Sequence, residues 1–125
     1  DVRYSREEGI ERVEKAFRVI AAKTYVQGTN THVQCLVKVS SMERLPASET
    51  LFHRAEKIAK EWNLPDMKAI AVGGGSDSAY LTRAGIPTLC ALGVKGEFNH
   101  TVREWADKKS LTERAKLLAA LLLQL

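Results

Sequence analysis

The chain has 125 residues, of which 45% are hydrophobic and 27% charged, a balance typical of one globular domain with a modest core. No apolar stretch is long enough to cross a membrane, and no secretory signal is visible, so we expect a cytoplasmic protein. The net charge is +4, but basic and acidic residues are interspersed, which argues against nucleic-acid binding. Two cysteines, Cys35 and Cys90, lie in apolar runs, and we expect both to be buried, reduced thiols.

The first forty residues predict a strand, a helix and a second strand. Residues 1–4 predict a short strand, and the S-x-x-E sequence at 5–8 predicts a capping box that begins a helix. Gly28 is expected to break the chain, and residues 32–39 alternate between apolar and polar, as in a half-buried strand. The apolar face predicted for the helix consists of Ile10, Val13, Phe17, Ile20 and Ala21.

A polar segment at residues 40–48, which contains Pro46, predicts a domain boundary. A second helix is predicted after it, stopped by Asn63 and Pro65. The buried face predicted for this helix consists of Leu51, Ala55, Ile58, Ala59 and Trp62.

Two further runs, 68–72 and 88–93, are apolar on both faces, which predicts buried strands of a helix-covered sheet. Between them lies Gly73-Gly74-Gly75-Ser76-Asp77, a glycine turn. Ser76 is expected to cap a helix that ends at Gly85.

The last quarter of the chain predicts a loop and a helix. The loop spans residues 93–107 and carries His100. A second S-x-x-E sequence at 110–113 predicts the start of the final helix. The buried face predicted for it consists of Leu111, Ala115, Leu118 and Leu122.

The glycine turn has two physical interpretations. It could bind an anion, since amide groups at a helix start favour a phosphate or carboxylate, or it could be a tight crossing from strand to helix. It matches neither G-x-G-x-x-G nor G-x-x-x-x-G-K-[ST], so dinucleotide and nucleoside-triphosphate binding are poorly supported. Asp77 could be a capping carboxylate or a hydrogen-bond partner of a metal ligand, and we expect the capping role.

The histidines and nucleophiles alone do not complete a catalytic site. A zinc site needs three or four ligands, and the sequence contains no H-E-x-x-H, C-x-x-C or H-x-H motif. His32 and His53 are expected to face solvent, and His100, a lone loop histidine, could be a surface residue or one ligand of a metal site. Ser76 lacks the G-x-S-x-G pattern, and neither cysteine lies in an activating environment.

The order of these motifs resembles the co-catalytic zinc carboxypeptidase and aminoacylase family, which includes glutamate carboxypeptidase, acetylornithine deacetylase and succinyl-diaminopimelate desuccinylase. The resemblance to its C-terminal part begins near Glu43, and residues 1–40 look like the end of the family's lid, or dimerisation, domain. The matching residues are Gly73 to Asp77, Ala84 to Thr88, Leu92-Gly93, His100-Thr101 with Glu104, and Ser110-Leu111.

The resemblance implies cleavage of an amide bond next to a free carboxylate by two zinc ions bridged by a carboxylate and a water. His100 would be the last zinc ligand, and Gly75, with Gly74 beside it, would offer its backbone N–H to the substrate. The arginine that often holds the substrate carboxylate falls near the apolar Val39, and whether Arg44 replaces it stays open. The H-x-D motif, the bridging aspartate and the Glu-Glu pair have no counterpart in this sequence.

We therefore expect an α/β fold. It would comprise part of a three-layer zinc-exopeptidase catalytic domain at 41–125 and the αβ end of a ferredoxin-like lid domain at 1–40. The chain would be part of a zinc hydrolase acting on peptides or N-acyl amino acids. It would be inactive alone and would self-associate as a homodimer or a higher assembly, with no nucleic-acid or membrane partner. The alternative is a non-catalytic binding or assembly module that keeps part of the peptidase fold.

Overall fold

The computed structural model describes residues 2–124. In chain order these residues form α1 (Glu7–Ala21), α2 (Pro46–Glu61), α3 (Ser78–Arg83), β1 (Gly96–Glu97), β2 (Trp105–Ala106) and α4 (Lys108–Gln124). The chain divides into two compact units. The first contains the described residues up to Glu43 together with Gly73–Gly85, and the second contains Arg44–Val72 together with the described residues from Ile86 onward.

In the first unit, α1 forms as predicted, but its N-terminus is satisfied differently. The N-cap is Arg6, with no side-chain capping bond, so the capping box predicted from Ser5 does not form. Instead the Glu7 N–H donates to the Glu43 carboxylate at 2.9 Å, and the Glu7 carboxylate accepts the Ser41 N–H at 2.7 Å. The Glu43 carboxylate, distant in sequence, therefore accepts an N–H at the helix N-terminus, the role expected of the Ser5 hydroxyl.

The apolar face predicted for α1 is only partly covered. Ile10, Val13 and Ala21 are half-buried, whereas Phe17 and Ile20 are exposed. The chain turns after the helix at Gly28, whose φ of +80° lies in the left-handed region that glycine enters without a steric penalty.

In the second unit, the core lies between α2 and α4. The buried residues come mainly from these two helices, with half-buried apolar residues packed around them. The buried set is Ala55, Ile58, Ala59, Met67, Leu117, Ala120 and Leu121, surrounded by Phe52, Leu64, Leu89 and Leu92. The predicted end of α2 is confirmed, since Asn63 follows it with φ of +51°. Trp62, expected in the core, is 49% exposed.

Helix α4 packs through a face that the sequence did not predict. Leu117 is 2% exposed, whereas Leu122 of the predicted face is 83% exposed. The predicted start at Ser110 is also wrong, because the helix begins at Lys108 and the Asp107 carboxylate accepts the Lys109 N–H at 2.9 Å. The remaining members of the predicted face, Leu111, Ala115 and Leu118, are exposed as well.

The longer strands predicted from apolar patterns are not present in residues 2–124. Residues 2–4, 32–39, 68–72 and 88–93 form no strand, and Asp1 lies outside the described residues. A strand requires a second segment that accepts and donates its backbone hydrogen bonds, and β1 and β2 form the two-stranded sheet here. The mixture of helices with a small antiparallel sheet is compatible with part of an α/β domain.

Both cysteines differ from the prediction. Cys35 and Cys90 are exposed, because the segments that carry them are not strands within a covered sheet. The Cys35 thiol donates a hydrogen bond to the Val37 carbonyl at 3.7 Å. Within residues 2–124 no helix is long and apolar enough to span a membrane.

Candidate functional site

The glycine turn of the first unit is closely packed at two of its three glycines. The Arg3 guanidinium donates to the Gly73 carbonyl at 2.7 Å, and a Cβ on Gly73 would lie 2.8 Å from the same Arg3 nitrogen. A Cβ on Gly75 would lie 3.1 Å from Val39 Cγ1, whereas one on Gly74 would meet open space. A side chain at position 73 would displace only the flexible end of Arg3, whereas one at position 75 would require Val39 to shift by a few tenths of an ångström.

The glycine turn leads into a short helix, but the strand predicted before the turn does not form. Helix α3 has six residues, and its N-cap, Asp77, makes no side-chain capping bond, contrary to the role predicted for it. Ser76 does contribute, because its hydroxyl accepts the Ser78 N–H at 3.2 Å. Contact between the backbone of Gly74 or Gly75 and a substrate stays a prediction.

His100 lies in the turn of a short hairpin in the second unit. In the antiparallel pair, Gly96 is opposite Ala106 and Glu97 is opposite Trp105. Phe98 and His100 both have positive φ, 60° and 65°, which is uncommon for residues with large side chains. Such conformations persist where surrounding bonds hold them.

Hydrogen bonds within the turn hold this conformation. Thr101 donates from its backbone N–H (3.2 Å) and from its hydroxyl (2.7 Å) to the Phe98 carbonyl. The Thr101 hydroxyl also accepts the Arg103 N–H at 3.2 Å, and the Glu104 carboxylate accepts the His100 N–H at 3.3 Å. The backbone of His100 is thereby fixed while its side chain remains exposed.

The base of the hairpin is joined to α4. The Asp107 N–H donates to the Lys95 carbonyl at 2.8 Å, and the Lys95 N–H donates to the buried Ser110 hydroxyl at 2.8 Å. That hydroxyl in turn donates to the Asp107 carbonyl at 2.7 Å. A Cβ on Gly96 would overlap the Trp105 carbonyl oxygen, so the strand pair requires glycine there.

Arg103 is a feature of this hairpin that the sequence did not indicate. Its guanidinium carbon lies 4.9 Å from the centroid of the Phe98 ring, a cation–π contact. The two residues are five positions apart, and the positive φ of Phe98 contributes to the turn that joins them. Neither phenylalanine nor arginine is typical of a left-handed backbone conformation, so no sequence signal would have identified the contact between Phe98 and Arg103.

The predicted substrate residue Arg44 is engaged elsewhere. Its guanidinium forms an ion pair with Glu49 and its side chain is 77% exposed. The pairing is local, at the start of α2, and its role toward a substrate stays a prediction.

The described residues do not by themselves fit a zinc site. Within residues 2–124 no group of three or more His, Cys, Asp or Glu side chains comes together. His32 and His53 are exposed as predicted, and the His53 Nδ1 lies 3.3 Å from the Glu56 carboxylate. His100 could supply one ligand, which is too few for the tetrahedral coordination that zinc prefers.

Two cavities lie away from these residues. A groove of about 550 Å³ in the second unit is lined by residues from the end of α2 and from α4, including Trp62, Lys109 and Lys116. A smaller pocket of about 140 Å³ in the first unit is lined by Tyr4, Lys38 and others. Neither includes His100, Arg44 or the glycine turn.

Charged groups around the smaller pocket are mutually paired. Lys38 donates to the Glu14 carboxylate at 2.8 Å, which lowers the pKa of Glu14 from 4.5 and raises the pKa of Lys38 from 10.5. Arg83 lies 3.6 Å from the Glu7 carboxylate. Desolvation, followed by the nearby Glu7 charge, raises the pKa of Tyr4 above 10.0. Because Lys38 is paired with Glu14 and Arg83 with Glu7, we interpret these charged side chains as structural.

A comparison with protein families decides the relationship that the motifs suggest. Residues 7–124 match the model of peptidase family M20/M25/M40. The chain belongs to peptidase family M20/M25/M40. No curated protein and no solved structure matches the chain. The match includes the glycine turn and the His100 hairpin, so both are parts of an M20/M25/M40 peptidase chain.

Proposed function

We propose that this chain forms the C-terminal part of a zinc-dependent hydrolase that cleaves the amide bond of a peptide or N-acyl amino acid next to a free carboxylate. Membership of peptidase family M20/M25/M40 supports the hydrolase class. The finer assignment, to enzymes like glutamate carboxypeptidase, acetylornithine deacetylase or succinyl-diaminopimelate desuccinylase, is part of the proposal.

The observation that carries this proposal is the way in which His100 is held. The backbone of this residue is fixed in an uncommon conformation, while its imidazole remains exposed and makes no hydrogen bond to any residue in 2–124. A neutral imidazole presented in this way is suited to a metal ion. We assign His100 the role of one zinc ligand, and the backbone N–H of Gly75 the role of a substrate contact.

The chain alone is proposed to be inactive. A single histidine cannot hold a dinuclear zinc site, and the residues in 2–124 bring no further ligand group together. Ligands and a general base from other polypeptide would complete the site. In this arrangement residues 1–40 belong to a lid domain and residues 41–125 to a three-layer catalytic domain of a cytoplasmic enzyme.

The decisive experiment compares the 125-residue chain with the natural gene product that carries it. Zinc content is measured by mass spectrometry, and hydrolysis is measured with dipeptides and N-acyl amino acids. We expect about two zinc ions and turnover for the gene product, and neither for the isolated chain. Tight binding of two zinc ions with turnover by the isolated chain would overturn the assignment.

A pair of histidine variants tests the role of His100. In the gene product, His100→Ala should lower both zinc content and kcat, whereas His32→Ala, which alters another exposed histidine, should leave both unchanged. Full zinc content and activity in His100→Ala would remove His100 from the metal site.

We also propose that the chain self-associates. Apolar side chains are exposed in segments that form no strand, among them Leu36 at 82%, Val37 at 79% and Ile70 at 77%. Exposed apolar surface of this kind favours association in water. Light scattering should give a mass of at least two chains at high concentration, and a monomer there would contradict the proposal.

A further inference from the structure

The hairpin that carries His100 also carries a cation, Arg103, whose charge is not neutralised by any acidic side chain that the structure describes. The Arg103 guanidinium contacts the Phe98 ring at 4.9 Å. Among residues 2–124 it has no ion pair with a carboxylate, although Glu97 and Glu104 lie on the same hairpin. The Glu104 carboxylate accepts instead the backbone N–H of His100. Arg103 is exposed, so its donors face solvent.

An arginine side chain that is stacked on an aromatic ring is preorganised for anion binding. The ring contacts one face of the planar guanidinium and restricts its rotation, while the N–H donors at its edge stay available. A carboxylate fits that edge with two parallel hydrogen bonds. Because part of the side chain is already ordered, less conformational entropy is lost on binding.

The position of Arg103 along the chain relates this anion site to His100. The two residues are three positions apart, within consecutive turns closed by the bonds from Thr101 N–H to Phe98 and from Glu104 N–H to Thr101 (3.2 and 3.1 Å). Arg44, the cation predicted from sequence, is paired with Glu49. Of these two arginines, Arg103 is therefore the more available.

We propose that Arg103, supported by Phe98, binds the carboxylate of the substrate beside His100. This inference rests on the proposed function for the identity of the ligand, but the anion site itself needs no metal. Arg103 would determine specificity: acids would bind, and the corresponding neutral amides would not.

The test uses the isolated chain without added metal and two probes that differ in one group, N-acetylglycine and N-acetylglycinamide. Backbone amide chemical shifts are followed by NMR as each probe is added. We expect saturable shifts within residues 96–106 for N-acetylglycine, with a Kd on the order of 1–10 mM as befits one charged contact, and none for the amide.

Variants of the chain then test whether Arg103 and Phe98 form the binding site for N-acetylglycine. Arg103→Gln should weaken N-acetylglycine binding at least about tenfold, Arg103→Lys less, and Phe98→Leu by an intermediate amount, since the loss of one charge-assisted bond has about this effect. Arg12→Gln, which removes an exposed arginine on α1, should change nothing. Equal binding of both probes, or unchanged binding by Arg103→Gln, would overturn the proposal.

Kinetics of the gene product separate this proposal from the proposed function. Arg103→Gln should raise KM for N-acyl amino acids about tenfold with a smaller change in kcat. Arg103-dependent probe binding without any hydrolysis would leave the anion site standing and remove the hydrolase assignment. Hydrolysis by the gene product with KM unchanged in Arg103→Gln would support the hydrolase assignment and overturn the proposed role of Arg103.

Discussion

Replacing one leucine of α4 at a time tests which face of this helix packs against α2. Leu117 is 2% exposed and belongs to the buried cluster, whereas Leu122 is 83% exposed. Both lie on the same helix, and Leu→Ala leaves helix propensity almost unchanged. The two variants therefore differ mainly in the apolar surface that each one removes.

The expected magnitudes follow from burial. Full burial of a leucine side chain contributes about 1.5–3 kcal/mol, and a cavity adds to the loss, so Leu117→Ala should lower the free energy of unfolding by about 2–5 kcal/mol. Less than a fifth of Leu122 is covered, so Leu122→Ala should cost roughly 0.3–0.6 kcal/mol.

Urea unfolding followed by far-ultraviolet circular dichroism measures both variants, at two protein concentrations. A low concentration isolates the fold from any association through the outer face. At that concentration, a loss above about 2 kcal/mol for Leu122→Ala together with less than about 1 kcal/mol for Leu117→Ala would refute the observed packing. The helix would then pack through the face predicted from the sequence.

Three further predictions concern the hairpin base, the glycine turn and a surface ion pair. Ser110→Ala removes a buried hydroxyl that makes two backbone hydrogen bonds and should lower the free energy of unfolding by about 1–3 kcal/mol, measured by urea unfolding. Gly75→Ala should lower the melting temperature, whereas Gly74→Ala, where a Cβ meets open space, should change it much less; equal effects would exclude crowding as the cause. Lys38→Met should raise the pKa of Glu14 toward 4.5 in an NMR titration. Because the folded pKa of Glu14 is lowered, this pair stabilises the fold above pH 4.5, and the stability difference between the two proteins should vanish as the pH falls through that lowered pKa.

The helices could be predicted from sequence because their signals are local. In α2, the apolar residues recur at helical spacing, Pro46 suits the first turn, and Asn63 can adopt the positive φ that ends the helix. Helix α4 shows the limit of this signal. Leu117, Leu118 and Leu121 to Leu123 place apolar side chains on every side, so periodicity alone cannot select the buried face.

Strand predictions failed because pairing is not a local property. Residues 68–72 and 88–93 have the composition of buried strands, yet a strand exists only where a neighbouring segment accepts its hydrogen bonds. The prediction that Cys90 is buried depended on the same sheet and failed with it. His100 could be selected only through the order of motifs around it, and the Arg103 contact depends on backbone conformations that the residue types do not indicate.

The exposure of the two cysteines has a practical consequence. Cys35 lies in the first compact unit and Cys90 in the second, so each unit already carries one natural attachment point for a thiol-reactive probe. A pair of spin labels at these positions would allow the distance between Cys35 and Cys90 to be measured in the wild-type chain. Its distance distribution could be followed as zinc, N-acetylglycine or additional polypeptide is supplied.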